Sequence, residues 1–175
     1  MNTDKKNHSE PQVFVQKMRE HWTENLGNVS SEALELVWKQ LGQAFKQNII
    51  THGHELGREW IVCQPPTGSG KTQGTILYSA LLGNGMVEEH PGVLIVTRLI
   101  EEADEIARQV NELAGQELTA VARHSENPVK LEELSDYPVL VITHRAYELA
   151  LDYLGEDGTI KDTFGFFHGF AGNSD

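Results

Sequence analysis

In Thr67-Gly68-Ser69-Gly70-Lys71-Thr72, two glycines precede a lysine with a hydroxyl residue directly after it. A loop that grips an anion must turn backbone N–H groups inward, and glycine lets a phosphate approach without a side chain in the way. Lys71 has the charge and reach for the terminal phosphates of a nucleoside triphosphate, and the Thr72 hydroxyl is the type of ligand that holds Mg2+ beside them. Thr67, Gly68, Ser69 and Gly70 form the rest of the cradle. The pattern implies a site for ATP and Mg2+, with Lys71 and Thr72 nearest the phosphoryl chemistry. Pro65 stands where such loops usually open with Gly or Ala; after a strand end it needs no N–H donor.

Such a loop is positioned by a strand that delivers it and a helix that receives it. Trp60-Ile61-Val62-Cys63-Gln64 is a short apolar run closed by two prolines, which predicts a buried strand with Cys63 as an inert thiol inside it. Residues 71–82 predict the receiving helix, stopped by Gly83-Asn84-Gly85. The alternation then repeats. Val93-Leu94-Ile95-Val96-Thr97 predicts a second buried strand. Residues 101–114 predict a helix whose stripe is Ala103, Ile106, Ala107, Val110, Leu113 and Ala114, ended by Gly115. Strands are expected at 118–122 and 139–142, and a helix at 145–154 with Gly155 as its cap. Strands and helices in this alternation argue for an α/β domain with a parallel sheet covered on both faces.

Upstream, residues 13–22 predict a short helix with Phe14, Met18 and Trp22 on one face. Ser30 or Ser31 offers the N-cap of a longer helix running to about Asn48, carrying Leu34, Val37, Trp38, Leu41, Phe45 and Ile49. Residues 1–58 therefore read as a helical N-terminal segment with a disordered start, 59–155 as the α/β domain, and 156–175 as an irregular, disordered tail. His52, His54, His124 and His168 have no spacing that suits a metal and read as surface residues.

The 175 residues carry a net charge of −12, which weighs against an isolated nucleic-acid-binding domain, since such domains usually show a basic face. A single cysteine excludes an internal disulfide framework. No apolar run approaches a bilayer span and no apolar segment follows a basic start, so the chain reads as cytoplasmic, with no membrane partner.

Pro66-Thr67-Gly68-Ser69-Gly70-Lys71-Thr72 resembles motif I of the superfamily 2, DEAD/DEAH-box-like helicases, which commonly reads Ala-Pro-Thr-Gly-Ser-Gly-Lys-Thr. Residues 93–107 (VLIVTRLIEEADEIA) are similar to motif Ia of that group, and 139–149 (VLVITHRAYEL) to its later strand-end motif. The resemblance covers residues 60–154 and implies a partial RecA-like P-loop NTPase domain. It implies Thr97 and Arg98 as contacts to a nucleic-acid backbone, DNA or RNA, with Thr143, and His144 and Arg145 near it, on the same strand. Ligands at strand C-termini of α/β sheets are the general rule behind this placement.

Three features depart from that pattern. No apolar strand ends in Asp-Glu, the pair that would hold Mg2+ and orient the attacking water. Asp104-Glu105 falls on the polar face of a helix, and Asp152 in a helical stretch before Tyr153. The adenine-reading Gln has no secure counterpart, although Gln43 and Gln47 lie upstream. The second RecA-like domain, the expected partner that completes the ATP site, has no counterpart. The expectation is an interrupted product or part of a longer protein, binding nucleotide weakly and hydrolysing it poorly by itself. The alternatives are a P-loop nucleotide-binding regulatory module that never touches nucleic acid, and a remnant without function.

Overall fold

The structure is a computed structural model and describes residues 11–51, 61–82, 92–116 and 118–152. Backbone contacts divide the chain into two units, Met1–Glu88 and Glu89–Asp175. The expected stop at 83–85, His52, His54, His168, Gly155 and the tail lie outside the described residues.

The first unit is helical. Helix α1 (Pro11–Glu20) runs into a π turn (His21–Asn25), α2 spans Glu32–Thr51, and α3 spans Lys71–Leu81. Ser31 accepts the Leu34 N–H on its hydroxyl at 3.3 Å, satisfying one of the free donors that begin α2. Gly42 lets α1 and α2 close together, for a Cβ there would sit 2.8 Å from Phe14 Cδ1. An exposed Arg19–Glu35 ion pair of 2.5 Å also joins these two helices. The core they share with α3 is aromatic: Phe14 meets Phe45 and Tyr78 edge-on at 6.0 and 5.6 Å, and Phe45 lies 4.7 Å from Tyr78.

Residues 61–66 have no strand pairing, and Ile61, Val62 and Cys63 are exposed. The buried strand expected at 60–64 and the buried thiol are both corrected by this, Trp60 itself lying outside the described residues. An apolar run is held as a strand only by neighbours that take its backbone groups, and none pairs with it among the described residues.

The second unit is mixed α/β. Strand β1 (Val93–Thr97), helix α4 (Ile100–Ala114), strand β2 (Ala120–Arg123), a 3-10 turn (Leu131–Asp136), strand β3 (Val139–Thr143) and helix α5 (His144–Asp152) follow in order. The three strands form a parallel sheet of order β1-β3-β2. Val139, Leu140, Val141 and Ile142 of the central strand are all fully buried, which requires cover on both faces of the sheet. Leu140 and Ile142 pack with Val121, Leu134, Ala146 and Tyr147. Ala103, Ile106, Ala107, Val110 and Ala114 form the buried stripe of α4, and Gly115 caps it at φ 67°. Residues 93–96 are only half-buried, against the expectation for that strand, because β1 is paired on one side alone among the described residues. No described helix is long and apolar enough to cross a membrane.

Tyr78 is buried, yet its hydroxyl finds no partner among the described residues, and burial pushes its pKa up to about 12. A raised folded pKa on a phenol favours the neutral form, so the associated stability is complete below pH about 10 and is lost as pH climbs through about 12. Tyr78→Phe removes an unsatisfied hydroxyl and is expected to leave the melting temperature unchanged or raise it. Absorbance titration should lose the tyrosine ionisation near pH 12 in that variant. A melting temperature lowered by several degrees would mean that the hydroxyl is bonded after all.

Candidate functional site

The loop in the first unit is built from two turns of backbone that L-residues resist. Ser69 N–H donates to the Pro66 carbonyl at 3.3 Å, closing a turn with Gly68 at φ 80°. Gly70 follows at φ 79° as the N-cap of α3. The first bond of the α3 ladder is Gly74 N–H to the Gly70 carbonyl, 2.7 Å. The N–H groups that open α3 therefore have no acceptor within the helix, the condition that makes a helix start an anion site. Gly68 faces open space, whereas a Cβ on Gly70 would meet Met18 Cε at 2.9 Å and Trp22 Cζ3 at 3.0 Å.

Lys71 and Thr72 are exposed. The Lys71 ammonium donates to the Pro65 and Pro66 carbonyls at 2.8 and 3.2 Å, folded back over the loop entrance. Ser69, by contrast, is buried, and its carbonyl accepts the Trp38 indole N–H at 2.8 Å. His21 Nε2 lies 2.8 Å from Gln73 Oε1, joining the π turn to the first turn of α3.

Met18, His21, Trp22 and Trp38 are thus part of the loop's surroundings; the sequence pattern places Met18, Trp22 and Trp38 only on apolar helix faces and gives His21 no role. Trp38 left a signal. A tryptophan on the apolar stripe of a helix carries an N–H that must find an acceptor when buried.

In the second unit, Thr97 and Thr143 are register partners at the ends of adjacent strands, and Arg98 is exposed just beyond. The structure brings the two threonines together, with both hydroxyls engaged locally. Thr97 donates to Glu102 Oε2 at 2.8 Å and accepts the Leu99 N–H at 3.2 Å. The Arg98 N–H also points to Glu102, at 3.4 Å. Thr143 accepts the Ala146 N–H at 3.3 Å and caps α5. His144 and Arg145 are exposed.

Asp104 and Glu105 are exposed on α4 as expected. Glu105 is held at about 2, first by hydrogen bonding from Arg108 and then from Gln109. Asp104 accepts from His124 Nε2 at 2.9 Å. His124 is buried, against the expectation of a surface histidine, because its ring lies between Asp104 and the Glu126 N–H, which it accepts on Nδ1 at 3.3 Å. No group of three or more His, Cys, Asp or Glu able to hold a metal occurs among the described residues.

No model of a known protein family matches the chain, and no curated protein matches it significantly.

The two glycines of the loop should respond differently to alanine. Gly68→Ala meets only the left-handed backbone penalty, about 1–2 kcal/mol. Gly70→Ala meets the same penalty and must also displace buried Met18 and the rigid Trp22 ring, adding about 1–3 kcal/mol of overpacking. Urea unfolding of both variants checks this, and equal losses would refute the packing around Gly70.

Proposed function

We propose that the chain is an ATP-binding segment of a DEAD/DEAH-box-like helicase, with a RecA-like domain that would couple hydrolysis to movement on nucleic acid. The observation that carries the reading is the opening of α3. Gly68 and Gly70 are both left-handed, the first N–H groups of α3 lack helical acceptors, and Lys71 and Thr72 stand exposed beside them. ATP phosphates would lie against those N–H groups, and Lys71 would exchange two proline carbonyls for phosphate oxygens. The residues also fit Mg2+, since the Thr72 hydroxyl is exposed and Gly68 has open space around it. The ion would neutralise charge on the terminal phosphates. Thr97, Arg98 and Thr143 are the proposed contacts for DNA or RNA, because a parallel sheet receives ligands at strand C-termini.

Turnover by this chain is expected to be slow. Phosphoryl transfer depends on positioning the attacking water and stabilising the transition-state charge, and no strand here ends in the Asp-Glu pair for that task.

Calorimetric titration with MgATP should show binding to the wild type. Lys71→Ala should weaken it about 10- to 100-fold, the loss expected for charge-assisted hydrogen bonds. Unchanged affinity in the variant would refute the loop assignment.

A second reading, a nucleotide-binding regulatory module without nucleic-acid binding, is favoured by one contact. The Glu102 carboxylate already occupies the Thr97 hydroxyl and faces the Arg98 N–H. Anisotropy titrations of labelled single-stranded DNA and RNA separate the two. The helicase reading expects salt-sensitive binding, with Arg98→Ala lowering the slope of log K against log salt by about one. Absence of binding at low salt, with MgATP binding intact, would leave the regulatory module.

A further inference from the structure

Trp38 lies in the middle of α2, fully buried, and its only ring nitrogen is committed to one atom, the Ser69 carbonyl oxygen 2.8 Å away. In a trans peptide the C=O and the following N–H point in opposite directions. A carbonyl of Ser69 held toward α2 therefore turns the Gly70 N–H away from α2. The Ser69 hydroxyl has no partner among the described residues, so the side chain does not share in this anchoring. Gly70, next in sequence, is left-handed with Met18 and Trp22 behind it, and Trp22 lies edge-on to Trp38 with ring centroids 5.8 Å apart.

We infer that Trp38 is a positioning residue for nucleotide binding: its indole N–H locks the Ser69–Gly70 peptide in the orientation that presents the Gly70 N–H to a phosphate, while Met18 and Trp22 form the rear wall. The inference rests on the ATP reading of the loop and gives the N-terminal helices a part in it. Without the indole donor, the Ser69 carbonyl is a buried acceptor without that bond, and rotating the peptide becomes the way to satisfy it. The Gly70 N–H then turns from the phosphate side.

The decisive variant replaces Trp38 with β-(3-benzothienyl)alanine, in which sulfur takes the place of the N–H and both rings remain. Trp38→Phe is the genetically encoded companion, and thermal melting establishes that each is folded. MgATP affinity by calorimetry is expected to fall about fivefold or more in the benzothienyl variant, the loss of one neutral hydrogen bond, with the melting transition kept. In 15N-labelled wild type, the Trp38 indole N–H resonance, identified by its absence from Trp38→Phe, should shift on adding MgATP, and in Lys71→Ala the shift should need about 10- to 100-fold more MgATP. Filling space alone would produce neither result. Wild-type affinity in the folded benzothienyl variant, or an indole resonance indifferent to saturating MgATP, overturns the inference. Failure of the wild type to bind MgATP instead removes the ATP reading itself, and this inference with it, so the two failures are told apart in one titration series.

Discussion

The Ser69 carbonyl is where the helical unit and its loop constrain each other. The residues around it are small where the backbone needs room and aromatic where the wall must be rigid. Gly42 admits the Phe14 ring between α1 and α2, and Gly74 lets α3 lie against Phe14 and Leu41. Gly70 takes a left-handed turn with Met18 and Trp22 at its back. Aromatic rings have few rotamers to lose and stay where packing puts them. A backbone carbonyl bonded to such a ring inherits that fixity. The loop entrance is built the other way: Gly68 faces open space and Lys71 is exposed, bonded among the described residues to carbonyls of the loop itself. A rigid back and an exchangeable front suit a loop that must keep its N–H groups oriented while its lysine changes partners.

Much of the second unit was legible because its periodicities are strong. The α4 stripe, with Gly115 after it, allows one good solution, and the β3 run of Val139-Leu140-Val141-Ile142 suits a fully buried central strand. The same logic misled at 60–64, where the composition is equally apolar. A run of that length states a tendency to be extended and says nothing of whether a neighbour pairs with it. Val93 to Val96 illustrate the intermediate case, a real strand left half-buried where it has one strand neighbour among the described residues. The burial of His124 is hidden from the sequence for a related reason: its partner Asp104 lies twenty residues back on another element, and spacing rules for metals do not register a pair made by tertiary packing.

The loop was legible in full as a motif, and its support was not. Glycines, lysine and threonine at fixed offsets carry their chemistry in the sequence, since the backbone requirement is local. Met18, His21, Trp22 and Trp38 act from positions 31 to 52 residues earlier, through a helix arrangement that no local pattern announces. The trace they left is chemical rather than periodic: a donor-bearing indole on an apolar stripe has to be paired with something.

At the end of β1 the same geometry serves two opposed uses. The start of a helix favours an anion, and Glu102 supplies one from within the chain, accepting from the Thr97 hydroxyl and facing the Arg98 N–H. A nucleic-acid phosphate proposed for those groups would have to displace a carboxylate tethered one helical turn away. It would do so on a chain of net charge −12, where repulsion falls off only over a Debye length of roughly 10 Å at ordinary salt. The local advantage is then Arg98, exposed and able to follow a phosphate, against Glu102, which gives up two contacts and regains water. Whether the strand end takes a polyanion is therefore an electrostatic contest between two neighbouring side chains, and the backbone geometry is equally ready for either outcome.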